Sequence, residues 1–139
     1  YKGSAPAVMA TLAGETTATF STMPAALPHV RSGKMRALGV TSSKRNPALP
    51  DVPTMSETLP GFQILLYSGI LAPAGTPDEI VKRINAEISK GLKEPETLKT
   101  YADIGADPVD MSPAQFGAHL RKEIDTLGDS VRRSGATID

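Results

Sequence analysis

Apolar positions recur along the chain in two rhythms, and the change of rhythm divides it. From residue 76 onward the spacing is helical. Ile80, Ile84, Ile88 and Leu92 share one face, and Phe116, Leu120, Ile124, Leu127 and Val131 form a longer stripe. The starts of these stripes carry capping grammar. Thr76-Pro77-Asp78-Glu79 offers an N-cap, a proline at the first helical position and a glutamate three residues after the cap. Ser112-Pro113-Ala114-Gln115 repeats the pattern, and its helix is expected to stop at Gly135. Between them Glu94-Pro95 starts a further helix through Leu98 and Tyr101, ending at Gly105.

The first half alternates helical and extended signals. Ser4 is expected to cap a helix with Pro6 in its first turn, Val8, Met9 and Leu12 along it, and Gly14 at its end. Pro24 opens a second helix through Leu27 and Val30 to Gly33, with Pro28 tolerated only near the first turn. TTATFS (16–21) and MRALGV (35–40) read as short strands, and residues 62–72 form the longest extended segment. Such strands alternating with helices predict an α/β fold with a parallel sheet. Between 41 and 57 runs a loop staked by Pro47, Pro50 and Pro53, with one helical turn expected from Thr54 to Leu59.

Composition narrows the function classes. The chain of 139 residues has the length of one ordinary domain, with 40% hydrophobic and 22% charged residues. Fifteen basic residues balance fifteen acidic ones, so no global charge steers it to nucleic acid or membrane. No cysteine is present, which excludes disulfides, thiolate metal sites and cysteine nucleophiles. FQILLYSGILA is the longest apolar run and is too short to span a bilayer. The chain opens at Tyr1 without a methionine, so a mature product or a fragment is expected.

Catalytic patterns are missing. His29 and His119 are far apart and neither has a second ligand at metal spacing. Ser21 and Ser68 lack a nucleophile-elbow context, and the glycine spacings lack a P-loop lysine. Lys44-Arg45 has no aromatic neighbour for base stacking and reads as solvated surface, so no nucleic-acid partner is expected. Neither enzyme activity nor a cofactor or metal is expected. What remains is geometry. The strand ends at Ser21-Thr22 and Tyr67-Ser68 would present hydroxyls and backbone N–H groups at the edge of a parallel sheet, where α/β folds bind ligands.

Taken in order, YKGSAPAVMATLAGE, TFSTMPAALPHVRSGKMRALGVTS, KRNPALPDVPTMSE, LPGF, GILAPAGTPDEIVKRIN and GADPVDMSPAQF resemble Bug-type solute receptors. These are the extracytoplasmic substrate-binding proteins of tripartite tricarboxylate transporters. The resemblance covers essentially the whole chain, and LPDVPT and LAPAGTP are its specific segments. It implies a type II periplasmic-binding-protein fold, two α/β lobes enclosing a small carboxylate. Family members are roughly twice as long, two lobes of ordinary domain size. The chain therefore resembles the C-terminal half: 1–61 would complete the second lobe, 62–72 would cross back, and 73–139 would be the helical C-terminal part of the first.

The resemblance also implies a site. Tyr1, Lys2 and Gly3 would lie in the turn into the Ser4 helix, whose N-terminus favours an anion. Ser21, Thr22, Tyr67 and Ser68 would line the cleft. The family commonly has Asp-Asn after ATF, where this chain has Ser21-Thr22, and tryptophan at position 67, where it has Tyr67. Its two glycine-rich loops that grip the carboxylate lie upstream. The implied role is periplasmic capture of a small carboxylate for membrane transporter subunits; the alternative is a signalling module that presents the solute to a membrane sensor. Apolar stripes without the other lobe would promote homo-oligomers or domain swapping.

Overall fold

The computed structural model describes residues 1–135. Its elements are α1 (Ser4–Leu12), α2 (Met23–Arg31), a 3₁₀ turn at Met55–Glu57, α3 (Asp78–Gly91), α4 (Pro95–Asp103) and α5 (Pro113–Ser134). They gather into two compact units that do not follow chain order. One comprises Tyr1–Ile70 with Pro95–Pro108, the other Leu71–Glu94 with Val109–Asp139. The expected 73–139 segment is thus distributed over both units, and its last four residues lie outside the described ones.

In the first unit α1 packs against α2. Each helix supplies the small apolar set its pattern allows: Val8 and Ala10 from α1 and Leu27 from α2 are buried. Val8 and Leu27 are fully enclosed, each contributing about 1.5–3 kcal/mol of transfer free energy. The α4 segment is fastened here by two long-range bonds. Arg31 Nη1 donates to the Asp103 carbonyl at 3.0 Å, and Asn46 Nδ2 to the Gly105 carbonyl at 2.9 Å.

Helix starts depart from expectation at three places. Ser4 is the first helical residue and Gly3 is the cap of α1. Pro28 lies inside α2, beyond the first turn. Its ring removes one N–H, but the carbonyl of Pro28 still accepts from Ser32 N at 3.1 Å, so the final turn closes. Pro77, not Thr76, caps α3. The Thr76 hydroxyl is turned back onto the Pro73 carbonyl at 2.8 Å, which removes it from the helix end. At α5 the pattern holds: Ser112 accepts from Gln115 N, Gln115 Oε1 accepts from Ser112 N, and Gly135 closes the helix in the left-handed conformation.

The expected strands at 16–21, 35–40 and 62–72 form no ladder among the described residues. Among the described residues one parallel bridge, Val40 with Thr54, is the sheet pairing present, and Thr16, Thr17 and Met35 lie in bends. Strand identity needs a hydrogen-bonded neighbour, and parallel neighbours are distant in sequence. The Val40 bridge exists because the proline-staked loop returns the chain alongside it: Val40 N donates to Pro53 O and Met55 N to Val40 O, both at 2.9 Å.

In the second unit α3 packs against α5. The stretch between α4 and α5 is tied to α3 by Asn85 Nδ2 donating to Met111 O at 2.9 Å and by Ser89 Oγ donating to Asp110 Oδ2 at 2.8 Å. Lys93 completes the tie with an ion pair to Asp110 at 2.9 Å. Both contacts hold the Asp110 carboxyl below its ordinary range, Lys93 most strongly and Ser89 next. Ile80, Ile84, Ile124 and Val131 remain exposed on these two helices. No helix among the described residues is long and apolar enough to cross a membrane.

Candidate functional site

All seven residues expected at a site lie in the first unit, in three groups. Tyr1, Lys2 and Gly3 lead into α1. Gly3 caps the helix at φ 110 with no side-chain capping bond, so the first-turn N–H groups are offered by backbone alone. Tyr1 is exposed, and its hydroxyl donates to Glu15 Oε2 at 3.4 Å.

Ser21 and Thr22 lead into α2. Thr22 is the N-cap in extended conformation, and its side chain makes no capping bond. Its carbonyl accepts from Ala25 N and Ala26 N, both at 3.1 Å, while Pro24 in the first turn has no N–H to satisfy. The Ser21 hydroxyl makes a long 3.4 Å bond to the Thr22 carbonyl, weak enough to be exchanged for a better acceptor. Because α1 and α2 pack together, the first two groups belong to one helical pair. Each sits at a helix start where the dipole and free N–H groups favour negative charge.

Tyr67 and Ser68 form the third group, on the extended segment. Both are exposed, Tyr67 at 41%. No hydrogen bond ties Ser68 to the other two groups. A cavity of about 150 Å³ lies elsewhere in the unit, lined by Asn46, Pro47, Leu98, Ala102 and Asp107, and no expected site residue lines it.

One polar cluster has a role the sequence reading did not give it. Arg45 is no free surface charge. Its Nη2 and Nε clasp the Glu57 carboxylate at 2.7 and 2.9 Å, and Thr54 N donates to the same carboxylate at 3.0 Å. The Arg45 bond, then the Thr54 backbone, lower the Glu57 carboxyl to about 2. The signal was Thr54-x-x-Glu57, a capping pattern just before a turn. The clasp closes the proline-staked loop and is structural in kind. Among the described residues no cluster of His, Asp and Glu could hold a metal ion.

The starts of α1 and α2 thus both leave first-turn N–H groups without a side-chain cap. The chain matches the family described as tripartite tricarboxylate transporter family receptor over residues 1–138, and it belongs to that family. It is 38% identical over 139 residues to protein BugT of Bordetella pertussis, covering 99% of this chain and 43% of that one. Among solved structures it matches R. palustris Rpa4515 with adipate at TM-score 0.90 and 33% identity, over 97% of this chain and 46% of the other. MatC from Rhodopseudomonas palustris with bound malate matches at TM-score 0.84 and 34% identity, over 94% and 46%. The chain thus spans under half the length of these proteins. With periplasmic binding proteins as structural neighbours, its fold is a partial α/β periplasmic-binding-protein fold.

Proposed function

We propose that this chain supplies part of the ligand site of a periplasmic receptor that captures a small carboxylate for a tripartite tricarboxylate-type transporter. The observation that carries the reading is the pair of packed helices whose starts, at Gly3 and Thr22, have no side-chain cap. Family membership and two similar structures named with dicarboxylates, adipate and malate, support it.

Capture works through backbone N–H groups of α1 and α2, the hydroxyls of Ser21, Thr22 and Ser68, and bridging water. Lys2 is the one cation beside these groups in the sequence. Tyr67 covers the ligand's carbon chain with its ring and reaches a polar end with its hydroxyl. A site gripped mostly by neutral donors favours the ionised carboxylate without a fixed counter-charge, so desolvation is offset by hydrogen bonds rather than by an ion pair.

The test uses a receptor in which this sequence is joined to the remaining length of the family fold. Calorimetry is run with adipate and malate as probes. Ser21→Ala, Thr22→Ala and Tyr67→Phe are each expected to cost about 1.5–3 kcal/mol, roughly ten- to a hundredfold in affinity. Ser43→Ala, on an exposed loop position, is the control. If all three variants stay folded and bind as the control does, the assignment is wrong.

A further inference from the structure

Met23, Leu27 and Arg31 follow one another at a spacing of four on α2 and so share one face of the helix. All three meet residues 103–105, at the end of α4. A methyl placed on Gly105 would stand 3.4 Å from Met23 Cβ and from Leu27 Cδ2, so the Gly105 backbone lies against the first two turns of α2. Farther along the same face Arg31 Nη1 donates to the Asp103 carbonyl at 3.0 Å. That places a cation at the C-terminus of α4, where free carbonyls and the helix dipole favour one.

The other side of this stretch is tied to the proline-staked loop. Asn46 Nδ2 donates to the Gly105 carbonyl, while Asn46 Oδ1 accepts from Ala48 N, both at 2.9 Å. A cavity of about 150 Å³ lies between the loop at 46–48 and the end of α4, so the Asn46 bond, more than close packing, bridges the two. The start of α2 has little of its own to fix it. Thr22 makes no side-chain capping bond, and Pro24 brings no N–H. Its position is set by what presses on Met23 and Leu27.

We propose that Arg31 and Asn46 are positioning residues for the ligand site. They clamp residues 103–105 against α2 and thereby hold the Thr22 start where its N–H groups meet the carboxylate. Their action passes through Met23 and Leu27 and needs no contact with the ligand. When the clamp is loosened, the start of α2 samples arrangements that do not bind, and apparent affinity falls by the fraction that remains competent. One hydrogen bond bounds that fall at roughly two- to tenfold. The inference rests on the receptor reading and adds to it what positions the same site.

The test uses the completed receptor, with adipate and malate as calorimetric probes. Hydrogen exchange at Ala25 and Ala26, whose N–H groups close on the Thr22 carbonyl, reads the helix start directly. Asn46→Asp keeps the acceptor for Ala48 and removes the donor to Gly105. This variant and Arg31→Ala are each expected to weaken binding roughly two- to tenfold and to speed exchange at 25 and 26. Arg31→Lys, which retains a cationic donor, is expected to restore most of both. Ser112→Ala, which weakens the start of α5 in the other unit, is expected to lower Tm and change neither readout. Binding is measured well below Tm, so lost stability alone leaves affinity unmoved. Suppose the unmodified receptor binds a probe. Unchanged affinity in both clamp variants, unchanged exchange at 25 and 26, no rescue by lysine, or an equal loss in Ser112→Ala then overturns the proposal and leaves the receptor reading standing. An unmodified receptor that binds neither adipate nor malate overturns the receptor reading, and this inference with it.

Discussion

Gly105 is where the α4 segment meets the helix that carries Thr22, and its replacement tests that joint. The residue is buried at φ 69. A Cβ there would stand 2.6 Å from Met23 Cε and 3.4 Å from Leu27 Cδ2. Gly105→Ala therefore has two costs. A side chain in the left-handed region costs about 1–2 kcal/mol, partly offset by about 0.4–1 kcal/mol from the stiffer unfolded chain. The Met23 methyl, the free end of a flexible side chain, must be displaced, and the buried Leu27 beside it leaves little room for that shift. That overpacking adds about 1–2 kcal/mol. The net loss is about 2 kcal/mol, a fall in Tm of roughly 6–10 °C for a domain of this size. Gly14→Ala is the matched control, since φ there is 78 and nothing lies within 4 Å of the added methyl. Thermal melts by circular dichroism, with Met23→Ala made in both backgrounds, separate strain from packing. If Gly105→Ala melts no lower than Gly14→Ala, or if Met23→Ala restores none of the difference, the packing argument fails.

Other expectations follow from the polar ties. Glu57 has its carboxyl lowered to about 2 from an ordinary 4.5, so its contribution to stability is complete above pH 4.5 and is lost as pH falls toward 2. Melts across that window should steepen in the unmodified chain relative to Glu57→Gln; identical pH profiles would show the clasp to be irrelevant. Ser112→Ala should cost about 1 kcal/mol and fray the start of α5, whereas Thr76→Ala should leave the start of α3 unchanged, because its hydroxyl serves Pro73 instead of the helix. Residue-level hydrogen exchange at 113–117 and 78–82 distinguishes the two.

How much of this was legible in the sequence depended on the range of the interactions. Helices are closed by bonds four residues apart, so the five helical stretches were readable from stripes and caps. The errors among them came from local competition. Thr76 had a nearer acceptor in Pro73, and Gly3 displaced Ser4 by one position. The expected strands were not readable in pairing. TTATFS and residues 62–72 are β-branched or apolar enough to be strands, yet a strand is made by a neighbour that no local pattern names. The proposed site was legible only as residue types at segment ends. The packing of α1 on α2, which joins the Tyr1–Gly3 and Ser21–Thr22 groups in one helical pair, depends on Val8, Ala10 and Leu27 meeting across the sequence.

The proline-staked loop shows how a non-local pairing becomes local enough to form without a larger sheet. Pro47, Pro50 and Pro53 restrict the backbone of a short connector, which lowers the entropy lost when its ends meet. Leu49 N and Val52 N make internal turns at 2.9 and 3.1 Å, and the Arg45–Glu57 clasp ties the beginning of the loop to its end. Thr54, 4% exposed, is thereby delivered beside Val40 in parallel register, the one register in which Val40 can both donate to Pro53 and accept from Met55. The same closure fixes Thr41, whose carbonyl receives Ile64 N. The loop thus sets where the segment bearing Tyr67 and Ser68 begins. Arg45 serves the loop, and the loop serves the segment that carries the third group of the proposed site.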